Sequence, residues 1–134
     1  MGLAVRAKVL RSRIHGRGLF ADQDIPRGAV VWRFDPRVDK VVRRLATAPK
    51  RYWRFHHFAY FDKHLREWVY STDRTKWMNH AARPNTTTRA DGCLVSVRRI
   101  RRGSEITTNY CRESGLCRTS AAWRAVDKAT TPPP

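Results

Sequence analysis

Three short stretches of the chain carry residue types that could bind a ligand or take part in a reaction. Residues 16–21 read GRGLFA, and the two glycines allow the backbone to approach a ligand closely or to form a tight turn. Asn79 and His80 form an adjacent polar pair, which must be hydrogen-bonded wherever it is buried. Tyr110 ends the run EITTNY and could offer a phenolic oxygen on a rigid ring. Each stretch alone also fits an ordinary structural role, as a turn, a corner or a core strand.

The glycine stretch also fits the G-x-G-x-x-A form of the dinucleotide-binding fingerprint. That fingerprint must open a helix that packs on its sheet. Here Pro26 and Gly28 follow closely and lead into another run of β-forming residues, 29–34. The context therefore excludes a Rossmann-type site and leaves either a ligand contact or a simple turn.

The elements that would position these stretches are mostly short β-strands. Alternating or β-branched apolar residues predict strands within the segments 3–10, 18–21, 29–34, 67–70, 86–97 and 106–110. Asp91-Gly92 divides the segment 86–97 into the two arms of a hairpin. Helical spacing in 38–61, interrupted at Pro49, predicts two short helices, and residues 118–126 predict a terminal one. The expected fold class is therefore mostly β (α+β) with a short helical insert.

In their order along the chain, the three stretches resemble the motifs of the SET domain of protein-lysine methyltransferases. The family's Gly-x-Gly-Leu-Phe-Ala run and its downstream Ile-x-x-Gly are similar to residues 16–21 with Ile25 and Gly28. The family's Asn-His motif is similar to Lys76 through Asn85, and its Glu-Leu-Thr-x-Asp-Tyr is similar to residues 105–110. The resemblance covers most of the chain.

The resemblance implies a β-clip fold with a pseudoknot, in which the chain near Tyr110 crosses the segment of Asn79 and His80. It also implies S-adenosylmethionine as the cofactor and a narrow channel through which a substrate lysine reaches it. The residues implied as cofactor-binding are Gly16, Arg17, Gly18, Leu19, Asn79, His80 and Tyr110. Tyr110 is also implied as the catalytic tyrosine. Candidates for the channel are Tyr60, Thr108 and Trp123, where core packing is the alternative for Tyr60 and helix anchoring the alternative for Trp123.

Three departures from the family pattern bear on function. Asn109 replaces the Asp before the catalytic tyrosine, so it can hydrogen-bond but cannot form an ion pair. Thr108 replaces an aromatic residue, which bears on the channel's shape and on how many methyl groups are added. Ala81-Ala82 stands where the family has Ser-Cys, so a C-terminal zinc set lacks one cysteine, and Cys111 and Cys117 cannot replace that set. We therefore expect no structural metal.

The length favours a minimal, stand-alone SET domain without pre-SET or zinc post-SET modules. A chain of 134 residues makes one ordinary domain. We expect the SET domain to span 1–126, with a core of about 5–112 and a C-terminal segment at 113–126. A disordered, proline-rich tail at 127–134 would follow. Formation of a homodimer would complete a substrate groove in so small a domain.

The chain is strongly basic, which narrows the classes of partner. Lys and Arg total 28 against 11 Asp and Glu, which gives a formal net charge of +17. Such a surface attracts polyanions and allows non-specific contact with nucleic acid, whereas it repels a free basic peptide. The alternative is a well-solvated surface without a partner. The expected substrate is a protein with a target lysine, and a basic protein already bound to nucleic acid, such as a histone, nucleoid or ribosomal protein, fits this charge.

Cysteine usage and hydropathy bear on location. Three cysteines at spacings that match no Cys-x-x-Cys pair favour a reducing compartment. No apolar stretch approaches the roughly 20 residues of a membrane span. We therefore expect a cytoplasmic protein without membrane contact that acts as a protein-lysine N-methyltransferase. A bacterial nucleoid-associated location or a host-directed role is the alternative. The alternative function is a catalytically degenerate SET fold that works as a basic nucleic-acid-binding or scaffolding protein.

Overall fold

The computed structural model describes residues 2–42, 59–62, 67–109 and 112, and nearly all regular structure in them is β-strand. In chain order the strands are β1 (Gly2–Leu3), β2 (Ala7–Arg11), β3 (Arg17–Ala21), β4 (Val30–Arg33), β5 (Asp39–Val42), β6 (Ala59–Asp62), β7 (Glu67–Ser71), β8 (Asn79–His80), β9 (Thr86–Thr88), β10 (Leu94–Ser96) and β11 (Glu105–Thr108). A short 3-10 helix, Arg74–Trp77, lies between β7 and β8. Within these ranges, no helix has the length and apolar character needed to cross a bilayer. The mostly β fold class predicted from the sequence is confirmed.

The strands form three sheets. Their strand orders are β1-β4-β10-β9, β2-β3-β11-β8 and β5-β7-β6. In the second sheet, β11 is antiparallel to β3 on one side and parallel to β8 on the other. The second sheet therefore joins the beginning, the middle and the later part of the chain through one central strand.

Apolar side chains from the first two sheets form the core. Leu19, Ile25, Val31 and Ile106 are fully buried, and Ile100 is 2% exposed. Burying a side chain of this size contributes roughly 1.5–3 kcal/mol. Ile25 and Ile100 form an isolated antiparallel bridge in which each backbone nitrogen donates to the other residue's carbonyl oxygen at 2.8 Å. This bridge holds the loops that lead into β4 and β11 against the core.

The hairpin predicted around Asp91-Gly92 is confirmed. It joins β9 and β10, which pair in antiparallel register. Gly92 has a φ of +86°, which glycine adopts without steric cost. Its backbone nitrogen donates to the Arg89 carbonyl oxygen at 2.9 Å, and Cys93 N donates to Asp91 Oδ1 at 3.1 Å. Residues of the turn therefore supply the hydrogen-bond partners of its own backbone groups, as the sequence pattern predicts.

The single strand predicted over residues 3–10 is wrong. The chain forms two strands there, β1 paired with β4 in the first sheet and β2 paired with β3 in the second. Between them, Ala4 N donates to the Val31 carbonyl oxygen, and Asp22 N donates to the Arg6 carbonyl oxygen. The backbone changes partner over these residues while the apolar alternation continues, so the pattern alone does not reveal the break.

The helices predicted over residues 38–61 are wrong at both ends of that segment. Residues 39–42 form β5 and residues 59–62 form β6, and both strands pair with β7, one on each side. β-Branched Val41 and Val42 suit this pairing, and sheet formation overrides a weak helical spacing. Residues 43–58, the predicted terminal helix at 118–126 and the predicted tail lie outside the described residues.

Candidate functional site

The central strand β11 brings the three predicted stretches next to one another. On one side Ile106 lies opposite Leu19 of β3. On the other side Thr108 lies opposite His80 of β8, and Ala81 N donates to the Thr108 carbonyl oxygen at 3.0 Å. The candidate site therefore lies where three distant parts of the chain meet in one sheet.

The Asn79 side chain joins this sheet to the glycine turn. Asn79 is 8% exposed, and its Nδ2 donates to the carbonyl oxygens of His15 and Arg17 at 3.1 and 3.0 Å. The same nitrogen donates to Glu105 Oε1 at 2.9 Å. One amide group therefore fixes the backbone on both sides of Gly16.

The Glu105 carboxylate is the centre of this network, and the sequence did not predict a role for it. Ser12 Oγ donates to its two oxygens at 2.9 and 3.0 Å, and Ile14 N donates to Ser12 Oγ at 2.9 Å. Hydrogen bonds to an ionised carboxylate are stronger than those between neutral groups. Glu105 opens the third motif, and an acidic residue next to buried Ile106 in so basic a chain is the signal that could have identified it.

Gly18 leaves the space that the Glu105 carboxylate occupies. A Cβ atom at Gly18 would collide with a carboxylate oxygen, and it would lie 2.8 Å from Glu105 Cδ and 3.1 Å from Ser12 Cβ. Gly16 differs, because its φ is +43° and nothing lies within 4 Å of the position of its missing Cβ. The first glycine therefore forms the turn beside open space, and the second permits close packing.

Thr108, a predicted channel residue, has a buried hydroxyl group. Its Oγ1 has no hydrogen-bond partner within the described ranges. Buried hydroxyl groups are rarely left unpaired in folded proteins. A bound ligand, or the residues that follow Thr108 along the chain, would supply such a partner.

Asn85 and Thr86 hold β11 in place. Asn85 Nδ2 donates to the Glu105 carbonyl oxygen at 2.8 Å, and Asn85 Oδ1 accepts from Thr107 N at 2.9 Å. Thr86 Oγ1 donates to the Thr107 carbonyl oxygen at 2.7 Å, and Thr86 is fully buried. The segment 79–86 is therefore bound to β11 both by strand pairing and by its side chains.

Asn109, which stands where the family has an aspartate, forms hydrogen bonds, as expected from the sequence. Its Nδ2 donates to the Ala82 carbonyl oxygen at 3.3 Å. Its Oδ1 accepts from Arg112 N at 3.1 Å. The amide therefore connects the end of β11 to the loop after β8 without an ion pair.

The structure brings most of the predicted site residues into one sheet and its turn. These are Gly16, Arg17, Gly18, Leu19, Asn79, His80 and Thr108. Tyr60 lies elsewhere, on β6 of the third sheet, where it pairs with Val69. Tyr110 and Trp123 lie outside the described residues, so the catalytic role, the channel and the crossing of the chain at Tyr110 remain predictions.

A buried acidic cluster lies apart from this site, beside the third sheet. Asp39 is 1% exposed and accepts hydrogen bonds from Ser71 Oγ at 2.6 Å and from Asp35 N at 2.8 Å. Burial raises the pKa of the Asp39 carboxyl group. Hydrogen bonds from the Arg37 guanidinium lower the pKa of Asp35. In the described part of the chain, no group of three or more His, Cys, Asp or Glu residues is arranged to hold a metal ion.

The fold is similar to that of several solved structures, and two of them are compared with it as follows. One is a Plasmodium falciparum protein described as a histone methyltransferase, with a TM-score of 0.55, 13% identity, and coverage of 81% of this chain and 95% of that chain. The other is a humanized mutant of the Chaetomium thermophilum Polycomb Repressive Complex 2 bound to an inhibitor, with a TM-score of 0.60 and 17% identity. In that comparison 84% of this chain and 16% of the other chain are covered. At these identities the likeness supports the fold.

The family comparison agrees with the geometry of the site. A search among curated proteins finds no match. The model of the SET domain matches residues 16–111, a range that begins at the glycine turn and includes the Asn79 segment and β11. This range is well over half of the chain, and the chain therefore belongs to the SET-domain family.

Proposed function

We propose that this protein is an S-adenosylmethionine-dependent protein-lysine N-methyltransferase. The observation that carries the proposal is the Asn79 amide, which binds the turn around Gly16 while its own strand pairs with β11. The family match and the description of the Plasmodium falciparum neighbour as a histone methyltransferase support the same class of reaction.

The residues present fit the cofactor. Open space lies beside Gly16, and the turn around it is fixed in advance by Asn79 and Glu105, so little ordering is required on binding. The buried Thr108 hydroxyl, unpaired within the described ranges, lies on the neighbouring strand. We assign cofactor binding to Gly16, Arg17, Gly18 and Leu19, together with Asn79, His80 and Tyr110.

The chemistry requires alignment more than acid or base catalysis. The cofactor, when bound, supplies a methyl group on a positively charged sulfonium. The protein must hold the lysine amine in line with that group and present oxygen dipoles to it. Tyr110 would provide such an oxygen on a rigid ring. The attacking lysine must be neutral, and burial in a channel lowers its pKa from about 10.4 because it disfavours the ammonium form. No dedicated general base is then required.

We propose a protein substrate that is itself associated with nucleic acid, methylated in the cytoplasm. The strong positive charge disfavours approach to a free basic tail and favours a substrate whose charge nucleic acid already neutralises. Tyr60 and Trp123 are the proposed channel residues besides Thr108. A homodimer would complete the substrate groove, and sedimentation at high protein concentration tests it.

Calorimetric titration with S-adenosylmethionine tests the proposal. The wild-type protein should bind with micromolar affinity, and Asn79→Ala should abolish binding because the turn loses its hydrogen bonds to the sheet. Asn85→Ala is the matched control, because it removes a buried amide that holds β11 without contacting the turn. Binding by Asn85→Ala at temperatures where it is folded would separate the cofactor site from general stability. A folded wild-type protein that does not bind would contradict the proposal and favour the degenerate fold.

A further inference from the structure

A strongly basic surface lies at the end of β2 and β3 that is opposite the glycine turn. We call it the basic ridge, and its members are Arg6, Lys8, Arg27, Arg99, Arg101 and Arg102, all of which are exposed. β3 begins at the turn with Arg17 and ends at the ridge with Ala21, a span of roughly 13 Å at about 3.3 Å per residue. The ridge is therefore separate from the candidate cofactor site.

Two neighbouring segments, 21–28 and 96–104, build most of the ridge. Their backbones are joined by the reciprocal bridge between Ile25 and Ile100. Gly28 N also donates to Ser96 O at 2.8 Å, and Gly103 N donates to Ala21 O at 2.8 Å. The arginines therefore project from backbone that is anchored to the core.

The ridge carries six cations against two carboxylates, those of Asp22 and Asp24. Asp22 lies 3.4 Å from Lys8 Nζ and 3.1 Å from Arg102 Nη2. Asp24 lies 2.6 Å from Arg99 Nη2. Both carboxylates are therefore already shared among the cations, and a large positive excess remains.

Arg6, Arg27 and Arg101 form no ion pair with an acidic side chain in the part of the chain that the structure describes. Arg99 and Arg101 flank buried Ile100 on an extended segment, so their side chains lie on its outer side. Exposed like charges on one surface repel one another, and a bound polyanion would offset that repulsion.

We propose that the basic ridge binds the phosphate backbone of duplex nucleic acid without reading its base sequence. Arginine guanidinium groups bind phosphate oxygens through paired hydrogen bonds. A duplex carries about one phosphate charge per 1.7 Å of its axis, so it can meet several guanidinium groups of the ridge at once. The ridge therefore fits a duplex backbone. The inference goes beyond methyl transfer and does not depend on it, and it gives a basic enzyme a way to hold nucleic acid while the glycine turn remains accessible.

Fluorescence anisotropy with a labelled duplex DNA of arbitrary sequence tests the proposal. The ridge variant is Arg6→Gln/Arg27→Gln/Arg101→Gln. The control removes three exposed cations elsewhere, Arg33→Gln/Lys40→Gln/Arg83→Gln. Both variants change the net charge equally, so they separate the ridge from overall charge.

The wild-type protein should bind the duplex, and its affinity should fall steeply between about 50 and 200 mM salt. The ridge variant should bind more weakly, with a slope of log affinity against log salt that is smaller by roughly 2–3, because about 0.9 is lost per phosphate contact. The control should change the slope by less than about 1. Circular dichroism and an unchanged midpoint of urea denaturation would show that the ridge variant is folded. Equal weakening by both variants, or no binding by the wild type at the lower salt, would overturn the proposal.

Discussion

Replacing Gly18 by alanine should destabilise the protein, because the new methyl group would occupy the space of the Glu105 carboxylate. The added Cβ would lie 2.8 Å from Glu105 Cδ, which is closer than carbon atoms pack in proteins, and 3.1 Å from Ser12 Cβ, which is tighter than most such contacts. Glu105 cannot simply rotate away, because Ser12 Oγ and Asn79 Nδ2 each donate to its carboxylate at 2.9 Å. The strain therefore either remains at Gly18 or breaks the network.

The size of the effect follows from these two outcomes. Forcing a methyl group into a packed site costs about 1–3 kcal/mol, and losing a hydrogen bond to a charged group costs about 1.5–3 kcal/mol. The two costs do not add, because displacing Glu105 relieves the steric strain of the added methyl group but breaks the hydrogen bond to the carboxylate. Alanine also reduces the entropy of the unfolded chain, which offsets about 0.4–1 kcal/mol. We expect a net loss of about 1–2.5 kcal/mol, or a Tm lower by roughly 3–8 °C.

Urea denaturation of Gly18→Ala, Glu105→Ala and the double variant tests the cause. Shortening Glu105 removes the collision, so the two changes should be non-additive, with a coupling energy of about 1–2 kcal/mol. Gly16→Ala is the control, because its methyl group would enter open space and cost only the backbone conformation, about 1 kcal/mol, without coupling to Glu105. A fully stable Gly18→Ala variant, or additive effects of the Gly18 and Glu105 changes, would refute the reasoning.

Three further predictions concern stability. Asn85→Ala should lower the free energy of unfolding by about 2–4 kcal/mol, because two backbone groups of β11 lose their hydrogen-bond partners. Urea denaturation measures the loss, and a value below about 1 kcal/mol would contradict the prediction. Thr108→Val should leave the stability of the unliganded protein unchanged or raise it by about 1 kcal/mol, because the Thr108 hydroxyl is unpaired in the described ranges. A clear loss of stability would show that the hydroxyl has a hydrogen-bond partner. Arg37→Ala should lower stability at neutral pH and lose its effect in acid. The hydrogen bonds from Arg37 depress the pKa of Asp35 in the folded protein, so their contribution is fully present above the ordinary value of 3.8. It declines as the pH falls below that value and is lost only as the pH falls through the lower pKa of the folded protein. Denaturation at neutral pH and at about pH 2 measures the decline, and an equal effect at both would count against this linkage.

Local sequence patterns predicted the strands whose residues clearly favour β-structure over helix. The run 29–34 is β-branched and aromatic, and Asp91-Gly92 fixes the turn between β9 and β10, so both were identified correctly. Residues 39–42 and 59–62 were misassigned as helix, because their sheet depends on pairing with β7 from a later part of the chain. Short apolar runs do not distinguish a strand from a helix without that partner.

The candidate site was predicted in outline but not in its connections. The motifs identified Gly16, Gly18 and Asn79 as members of one site, and the structure places both glycines beside the hydrogen bonds that Asn79 makes with the turn and with Glu105. The Glu105 carboxylate at the centre of that network was missed, although its motif was recognised. Its partner Ser12 is distant in sequence, and only the order of strands in the second sheet brings the two together.

Composition predicted a polyanion as a partner but not the surface that would bind it. The excess of arginine extends over the whole sequence. The basic ridge exists because the segments 21–28 and 96–104 lie side by side, and that contact rests on the pairing of Ile25 with Ile100. A charge count cannot locate such a surface without the topology.

Methyl transfer to lysine is the most direct test of the central claim. The protein is incubated with S-adenosylmethionine and a basic, nucleic-acid-bound protein fraction, and mass spectrometry then identifies methylated lysines. Tyr110→Phe is the matched control, since it keeps the ring and removes only the phenolic oxygen. We predict lysine methylation by the wild-type protein and a large loss in a Tyr110→Phe variant that still folds and binds the cofactor. A wild-type protein that binds the cofactor but methylates no lysine, or a Tyr110→Phe variant with full activity, would contradict the account.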